Sequence, residues 1–250
     1  MSLNLRISAL DLFKACPESA RPGGSASGDS AFALRGQVIH KTIAHALRTG
    51  LRHQATEPDI DTAVDTALAQ IRGGIAQYAD LATMQTEKEV ILYSSPWEIK
   101  GHLDFVADSA EHKRWIVVVD YKSGWGDAPC GEQLRGYAAA MMQERPEIEG
   151  ATCIVLRLDK GLYKRFDFTR DEAVAWLRDL GHRIVAAESA VEYSPGEHCN
   201  RCKHRDTCVA LRGECQTGLA VLAARAEPNA VTLEQLGHLM VFGPEIERRL

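Results

Sequence analysis

Gly101-His102-Leu103-Asp104, Asp120-Tyr121-Lys122 and Gln133-x3-Tyr137 set acids, a lysine and two polar groups on consecutive predicted elements. Two carboxylates crowded into a partly dry site repel each other, and the usual remedies are a raised pKa or a bound divalent cation. Hard oxygen ligands of this kind suit magnesium or manganese. A lysine beside such an ion can orient or help deprotonate an attacking water and offset charge building on phosphorus. The pattern therefore points to metal-dependent cleavage of a phosphodiester.

The elements that must position these groups are legible as local periodicities. Glu87 to Leu92 and Trp97 to Ala107 read as two strands joined by a Ser94-Ser95-Pro96 turn. Arg114 to Tyr121 reads as a third, whose Ile116-Val117-Val118-Val119 run suits a buried sheet. Asp104 and Asp120 then fall on neighbouring strands. Because side chains alternate faces, Asp120 and Lys122 share one face of the third strand while Tyr121 takes the other. Downstream, Glu132 to Gln143 has helical spacing, so Gln133 and Tyr137 lie one turn apart on one face, where they could meet a nucleic-acid backbone. Upstream, Phe32, Leu34, Val38, Ile39, Ile43 and Leu47 mark an amphipathic helix on which Gly36 allows close approach. His40, four residues on, becomes a candidate extra metal ligand.

Gly36-x3-His40, Gly101-x2-Asp104, Asp120-x-Lys122 and Gln133-x3-Tyr137, in this order and context, resemble the PD-(D/E)xK nuclease superfamily in its RecB-like branch. The resemblance covers roughly residues 5 to 210. It implies an α/β fold, a central mixed β-sheet flanked by helices with a restriction-endonuclease-like core. It implies that His40, Asp104 and Asp120, with the Tyr121 carbonyl, hold Mg²⁺ or Mn²⁺. Lys122 would be the catalytic lysine, and Gln133 and Tyr137 would position DNA. Leu103 stands where the family's name has proline, and Asp120 where many members carry Glu. Neither departure removes a carboxylate. By the same analogy exonuclease action is expected ahead of endonuclease action, and a helicase or a recombination or adaptation protein is an expected partner. The alternative from another class is a catalytically idle nucleic-acid-binding or assembly module.

Seven cysteines supply a second signal. Cys199-x2-Cys202-x5-Cys208 lies in a short polar segment, a spacing that a wrapping loop can close around one metal centre. Three thiolates need a fourth ligand, and the spacing alone leaves Cys215, which would favour structural zinc, and the distant Cys16 both open. RecB-like nucleases of the AddB and CRISPR-adaptation type hold a [4Fe-4S] cluster with one early cysteine, often followed by proline, and three late ones. Cys16-Pro17 resembles that arrangement, which implies a clasp between the two ends of the chain. A link closing so long a loop removes unfolded-state entropy. Cys153, in an apolar run, reads as a core thiol, and Cys130 has no spacing partner.

With 250 residues, 45% hydrophobic and 25% charged, the chain fits one globular domain with an appendage; the resemblance implies a nuclease domain with its clasp over residues 1–210, leaving a helical appendage over 211–250 that could belong to a longer protein. It has no apolar run near the ~20 residues needed to span a membrane. The absence of an amino-terminal apolar signal segment points to a reducing cytoplasm. A net charge of −5 argues against gripping nucleic acid by overall charge, so local clusters matter. Arg201, Lys203, His204 and Arg205 surround the cysteine trio, and Lys160, Lys164 and Arg165 flank a predicted hairpin of Thr152 to Leu158 and Leu162 to Phe168. Helices are expected at Ser8 to Ala15, Asp59 to Tyr78, Asp171 to Ser189, Leu219 to Ala226 and Leu233 to Leu250, with a flexible loop from Pro22 to Gly28. His45, His53, His102, His182 and His198 read as packing or surface residues.

Overall fold

The structure is a computed structural model that describes residues 3–23, 31–52, 57–123, 130–158 and 162–223. The expected helix at Leu233 to Leu250, most of the Pro22 to Gly28 loop, Lys160 and His53 lie outside these residues. The described chain forms two compact units. One contains Leu5–Asp11 and the described part of Asp29–Arg183; the other contains the described parts of Met1–Asn4, Leu12–Gly28 and Ile184–Leu250.

The larger unit is built on a five-stranded sheet in the order β1 (Ala79–Ser94), β2 (Trp97–Ser109), β3 (Trp115–Lys122), β4 (Gly150–Arg157), β5 (Leu162–Thr169). β3 and β4 run parallel and the other neighbours antiparallel, so the sheet is mixed. Parallel pairing demands a crossover, supplied by α4 (Gly131–Glu144). β3 and β4 are buried along nearly their whole length, as continuous apolar runs such as Ile116–Val119 require.

Helices α2 (Ala31–Thr49) and α3 (Pro58–Gly73) cover one face of the sheet. Ile39 and Ile43 of α2 and Val64, Leu68 and Ile71 of α3 meet Phe105, Val117, Val119, Ile154 and Leu156 in one core cluster. Each large side chain buried there contributes about 1.5–3 kcal/mol of transfer free energy. α4 packs against β1, β3 and β4. α3 is shorter than its periodicity predicts: the chain turns through a 3₁₀ segment at Ile75–Gln77 and enters β1 at Ala79, well before Glu87. The early part of β1 alternates poorly because much of it is exposed, so no period of two marks it.

In the smaller unit, a short 3₁₀ turn at Pro17–Ala20 follows Cys16, a second at Glu197–Arg201 carries Cys199, and α6 (Val209–Ala223) follows Cys208. The boundary between the units falls within α1 (Leu10–Ala15) and α5 (Arg170–Ser189). No helix among the described residues is long and apolar enough to cross a membrane.

Candidate active site and cysteine cavity

The site begins where the β2–β3 ladder stops. Pairing runs from Asp108↔Ile116 to Phe105↔Val119 and ends there. One residue further, the Asp104 carboxylate replaces the ladder: its Oδ2 accepts from the Tyr121 amide at 2.7 Å. Its Oδ1 lies 3.0 Å from His40 Nδ1. The Tyr121 ring meets His40 edge-on, centroids 5.6 Å apart, and fixes the imidazole from α2. Gly36, one turn earlier on α2, leaves room for Ser123, whose Oγ would stand 3.1 Å from any Cβ there. Gly101 is more constrained still, since a Cβ would come within 2.8 Å of the Tyr137 ring and 2.9 Å of Ile7.

Asp120 and Lys122, two residues apart on β3, form an ion pair at 2.7 Å. Gln133 bridges them, donating to Asp120 Oδ1 at 2.7 Å and accepting from Lys122 Nζ at 2.9 Å. The same Gln133 amide nitrogen lies 3.3 Å from the Tyr137 hydroxyl. The helix bearing both residues is held at its amino end by Asp11, whose carboxylate accepts from the Glu132 and Gln133 amides at 3.1 and 2.9 Å. Asp11 thus caps α4 from outside the helix and fixes where Gln133 points.

Sequence reasoning missed Glu87. It lies opposite Asp104 in the β1–β2 register, between the pairs Thr86↔Phe105 and Lys88↔Leu103. Its φ of +52° is the left-handed region, rare for a residue with a side chain and found where strain is held at functional positions. The ligand atoms of His40, Glu87 and Asp104 all lie within 4.8 Å of one another. Glu87 Oε1 is buried without a hydrogen-bond partner. A signal was available: counting back from the Ser94↔Trp97 turn pair puts Glu87 across from Asp104.

The electrostatics follow from crowding. Burial, then the Asp104 charge, raises the Glu87 pKa. Burial pushes Asp120 up to about 6 against the pull of Lys122, with Asp104 adding to the rise. Burial alone would lower His40, but the hydrogen bond and charge of Asp104, with Asp120 and Glu87 beyond, outweigh it and raise the pKa. Burial likewise opposes the Lys122 ammonium, yet Asp120 holds its pKa above the ordinary value. Three carboxylates and an imidazole crowded together, with the pKa values of Glu87, Asp120 and His40 raised and one Glu87 oxygen orphaned, match the donor set a hard divalent ion would neutralise. These groups line a cavity of about 770 Å³, together with Arg6, Ser8, Lys41, Lys100 and His102. His102, which reads as packing in the sequence, therefore borders the cleft; its Nε2 is 3.1 Å from Glu89.

In the smaller unit Cys16, Cys199, Cys202 and Cys208 line a single cavity of about 190 Å³. Burial, with the other cysteines of the set adding to it, raises the Cys199 and Cys202 thiols. Cys215 is buried in α6 and does not line this cavity. Arg21 anchors the Cys16 segment: it pairs with Glu18 at 3.2 Å and donates to the carbonyls of Ala187 and Ala190 at 2.6 and 3.2 Å. The Arg21 carbonyl in turn lies 3.0 Å from His204 Nε2. Four thiols in one enclosure fit a thiophilic centre rather than a hard ion. Of the basic residues noted near the hairpin, Arg165 stacks 4.4 Å over Tyr78 and pairs with Asp167 at 3.4 Å, so it is engaged internally.

A mixed sheet with two aspartates and a lysine gathered where its central strands part defines the restriction-endonuclease-like α/β class. The chain belongs to the PD-(D/E)XK nuclease superfamily, whose family model matches residues 5–209. Among solved structures it is similar to one described as the crystal structure of SSO0001, at 12% identity and a TM-score of 0.34, over 70% of this chain and 96% of that one. No curated protein matches significantly.

Proposed function

We propose that this chain is a divalent-metal-dependent deoxyribonuclease acting as an exonuclease, with Cys16, Cys199, Cys202 and Cys208 holding a structural [4Fe-4S] cluster. The observation that carries the catalytic reading is the convergence of His40, Glu87 and Asp104 within 4.8 Å. His40, Asp104, Asp120 and the Tyr121 carbonyl would hold Mg²⁺ or Mn²⁺, and Glu87 joins them. A divalent ion bound there supplies Lewis acidity and a water of lowered pKa. Lys122, kept protonated by Asp120, faces the phosphate as a cation, orients the attacking water and offsets the charge that grows on the phosphoryl oxygens. Gln133 fixes the Lys122 ammonium by accepting from it, and with Tyr137 it positions the strand.

For the cysteines, a cluster rather than a single zinc is what the resemblance of Cys16-Pro17 and the late trio to RecB-like nucleases implies, and the cavity that Cys16, Cys199, Cys202 and Cys208 share supports Cys16 as the fourth ligand. The exonuclease subclass rests on resemblance of the early-plus-late cysteine arrangement to RecB-like nucleases. The test is to assay anaerobically purified protein with Mn²⁺ on linear and closed circular DNA, beside Lys122→Ala, with iron, sulfide and zinc measured on the same preparation. The expected result is loss of linear DNA only, with the variant inactive. Cutting of circles would make it an endonuclease, and intact DNA throughout would leave a binding module.

A further inference from the structure

We propose that Arg6 and Lys100 together seat a backbone phosphate of the bound DNA strand, next to but distinct from the one being cleaved; this rests on the nuclease reading above. The placement comes from the sheet. β2 pairs with β1 on one edge at Lys100↔Ile91, but β3 joins its other edge only from Phe105 onward. Arg6 occupies the edge left free, as the parallel bridge partner of Lys100. Bridge partners project their side chains to the same side, so two cations emerge next to each other from neighbouring backbones.

That arrangement is unfavourable by itself. Like charges opposite each other in a sheet destabilise it. The usual relief would be an acid nearby, yet neither side chain has a hydrogen-bond or ion-pair partner among the described residues. Both are exposed, and both line the same cavity as His40, Asp104 and Asp120. Ser8, also on that lining, adds a hydroxyl donor beside them. Lys41 lines the cavity too, but its charge acts on Glu87.

The chemistry that satisfies two adjacent, solvent-facing cations and a hydroxyl is an oxyanion with several acceptor oxygens, as a phosphodiester presents. Lys100 precedes Asp104 by four residues along β2, a span of ~13 Å at strand rise. The phosphate held there is therefore not the scissile one but another on the same strand. The division of labour is electrostatic. Three carboxylates on the cleft floor repel a polyanion until a cation is bound, and the chain as a whole carries a net charge of −5. Rim cations supply the local attraction that the overall charge denies.

The experiment measures binding of fluorescent single-stranded DNA in Ca²⁺, used as a non-cleaving ion, across a salt series. Wild type is compared with the double variant Arg6→Gln/Lys100→Gln and the charge-keeping variant Arg6→Lys/Lys100→Arg, all checked for unchanged thermal unfolding. The neutral double variant should bind a decamer ~10-fold more weakly, with a log–log salt slope shallower by ~0.7 for the lost phosphate contact. It should also lose part of the affinity gained between a dinucleotide and a decamer. The charge-keeping variant should stay within a few-fold of wild type. Wild-type affinity and slope in the neutral variant overturn the seat. Cleavage of linear DNA by the wild type in Mn²⁺, run in parallel, tests the nuclease reading separately, so a failed seat leaves that reading standing.

Discussion

The carboxylate cleft and the cysteine cavity are built from opposite materials for opposite ends. The cleft gathers hard oxygen donors and the His40 imidazole at the rim of a sheet, around a space of about 770 Å³. The cysteine cavity gathers sulfur donors in about 190 Å³, walled by Arg21, Tyr193, His198 and Leu211. Its cysteines are far apart in sequence, at 16 and 199–208, whereas the cleft's His40, Glu87, Asp104, Asp120, Lys122, Gln133 and Tyr137 fall within residues 40–137. A reactive ion needs exchangeable positions and room for substrate; a structural one needs enclosure and ligands whose joining restrains the chain. Donor softness, enclosure and sequence separation all change together between the two sites.

That contrast breaks most sharply under substitution. Asp104→Ala removes the group that touches both His40 and the Tyr121 amide, so Mn²⁺-supported cleavage should fall ~10³-fold or more while bound iron per chain stays constant. Steady-state digestion of linear DNA beside iron analysis reads both. Loss of iron in the Asp104 variant would show that the two sites are not independent. Cys16→Ser should do the reverse in kind: iron is lost and the thermal midpoint drops by ~5–15 °C, because a link closing a long loop is gone. Cys215→Ser, outside the cavity, should keep its iron. Retained iron in Cys16→Ser with loss in Cys215→Ser would reverse the assignment.

The two regions were not equally readable in the sequence. Around the cleft, strand alternation and helical spacing are local properties, so Asp104, Asp120 and Lys122 on adjoining strands and Gln133 and Tyr137 one turn apart all follow from the pattern. The 2.7 Å Asp120–Lys122 pair is what a two-residue step on one strand face delivers. Glu87 escaped because it sits in the polar Thr86-Glu87-Lys88-Glu89 run, and only cross-strand register, together with a positive φ, distinguishes it from its neighbours. Asp11 escaped because a helix cap supplied from another element leaves no mark at the helix it caps. Around the cysteines, motif spacing identified the late trio but no local rule chooses between Cys16 and Cys215. The Arg21 contacts to Ala187 and Ala190 that hold the early segment in place span most of the chain.

Glu87→Gln sharpens the comparison within the cleft. The amide keeps the shape and removes the charge, so Mn²⁺ should bind ~10–100-fold more weakly, as for other groups supporting a metal site, and cleavage should recover at high Mn²⁺. Metal titration of cleavage checks this. An unchanged midpoint would remove Glu87 from the site.

The smallest effect separates the sites by pH. Asp120 holds its proton to about 6, against an ordinary carboxylate value of 3.8, and Glu87 and His40 are also raised. Between the unfolded and folded values the native state binds more protons than the unfolded chain, so stability must fall as pH rises. For Asp120 that window runs from near 4 to about 6. His40 extends it upward, since its contribution is present below 6.5 and lost as pH passes its raised folded value. With Mn²⁺ present the sign should reverse, because the ion competes with those same protons and binds more tightly as they leave. Thermal midpoints measured from pH 4.5 to 7.5, with and without Mn²⁺, should therefore diverge by a few degrees. Parallel curves would mean that the protons and the ion do not share these carboxylates.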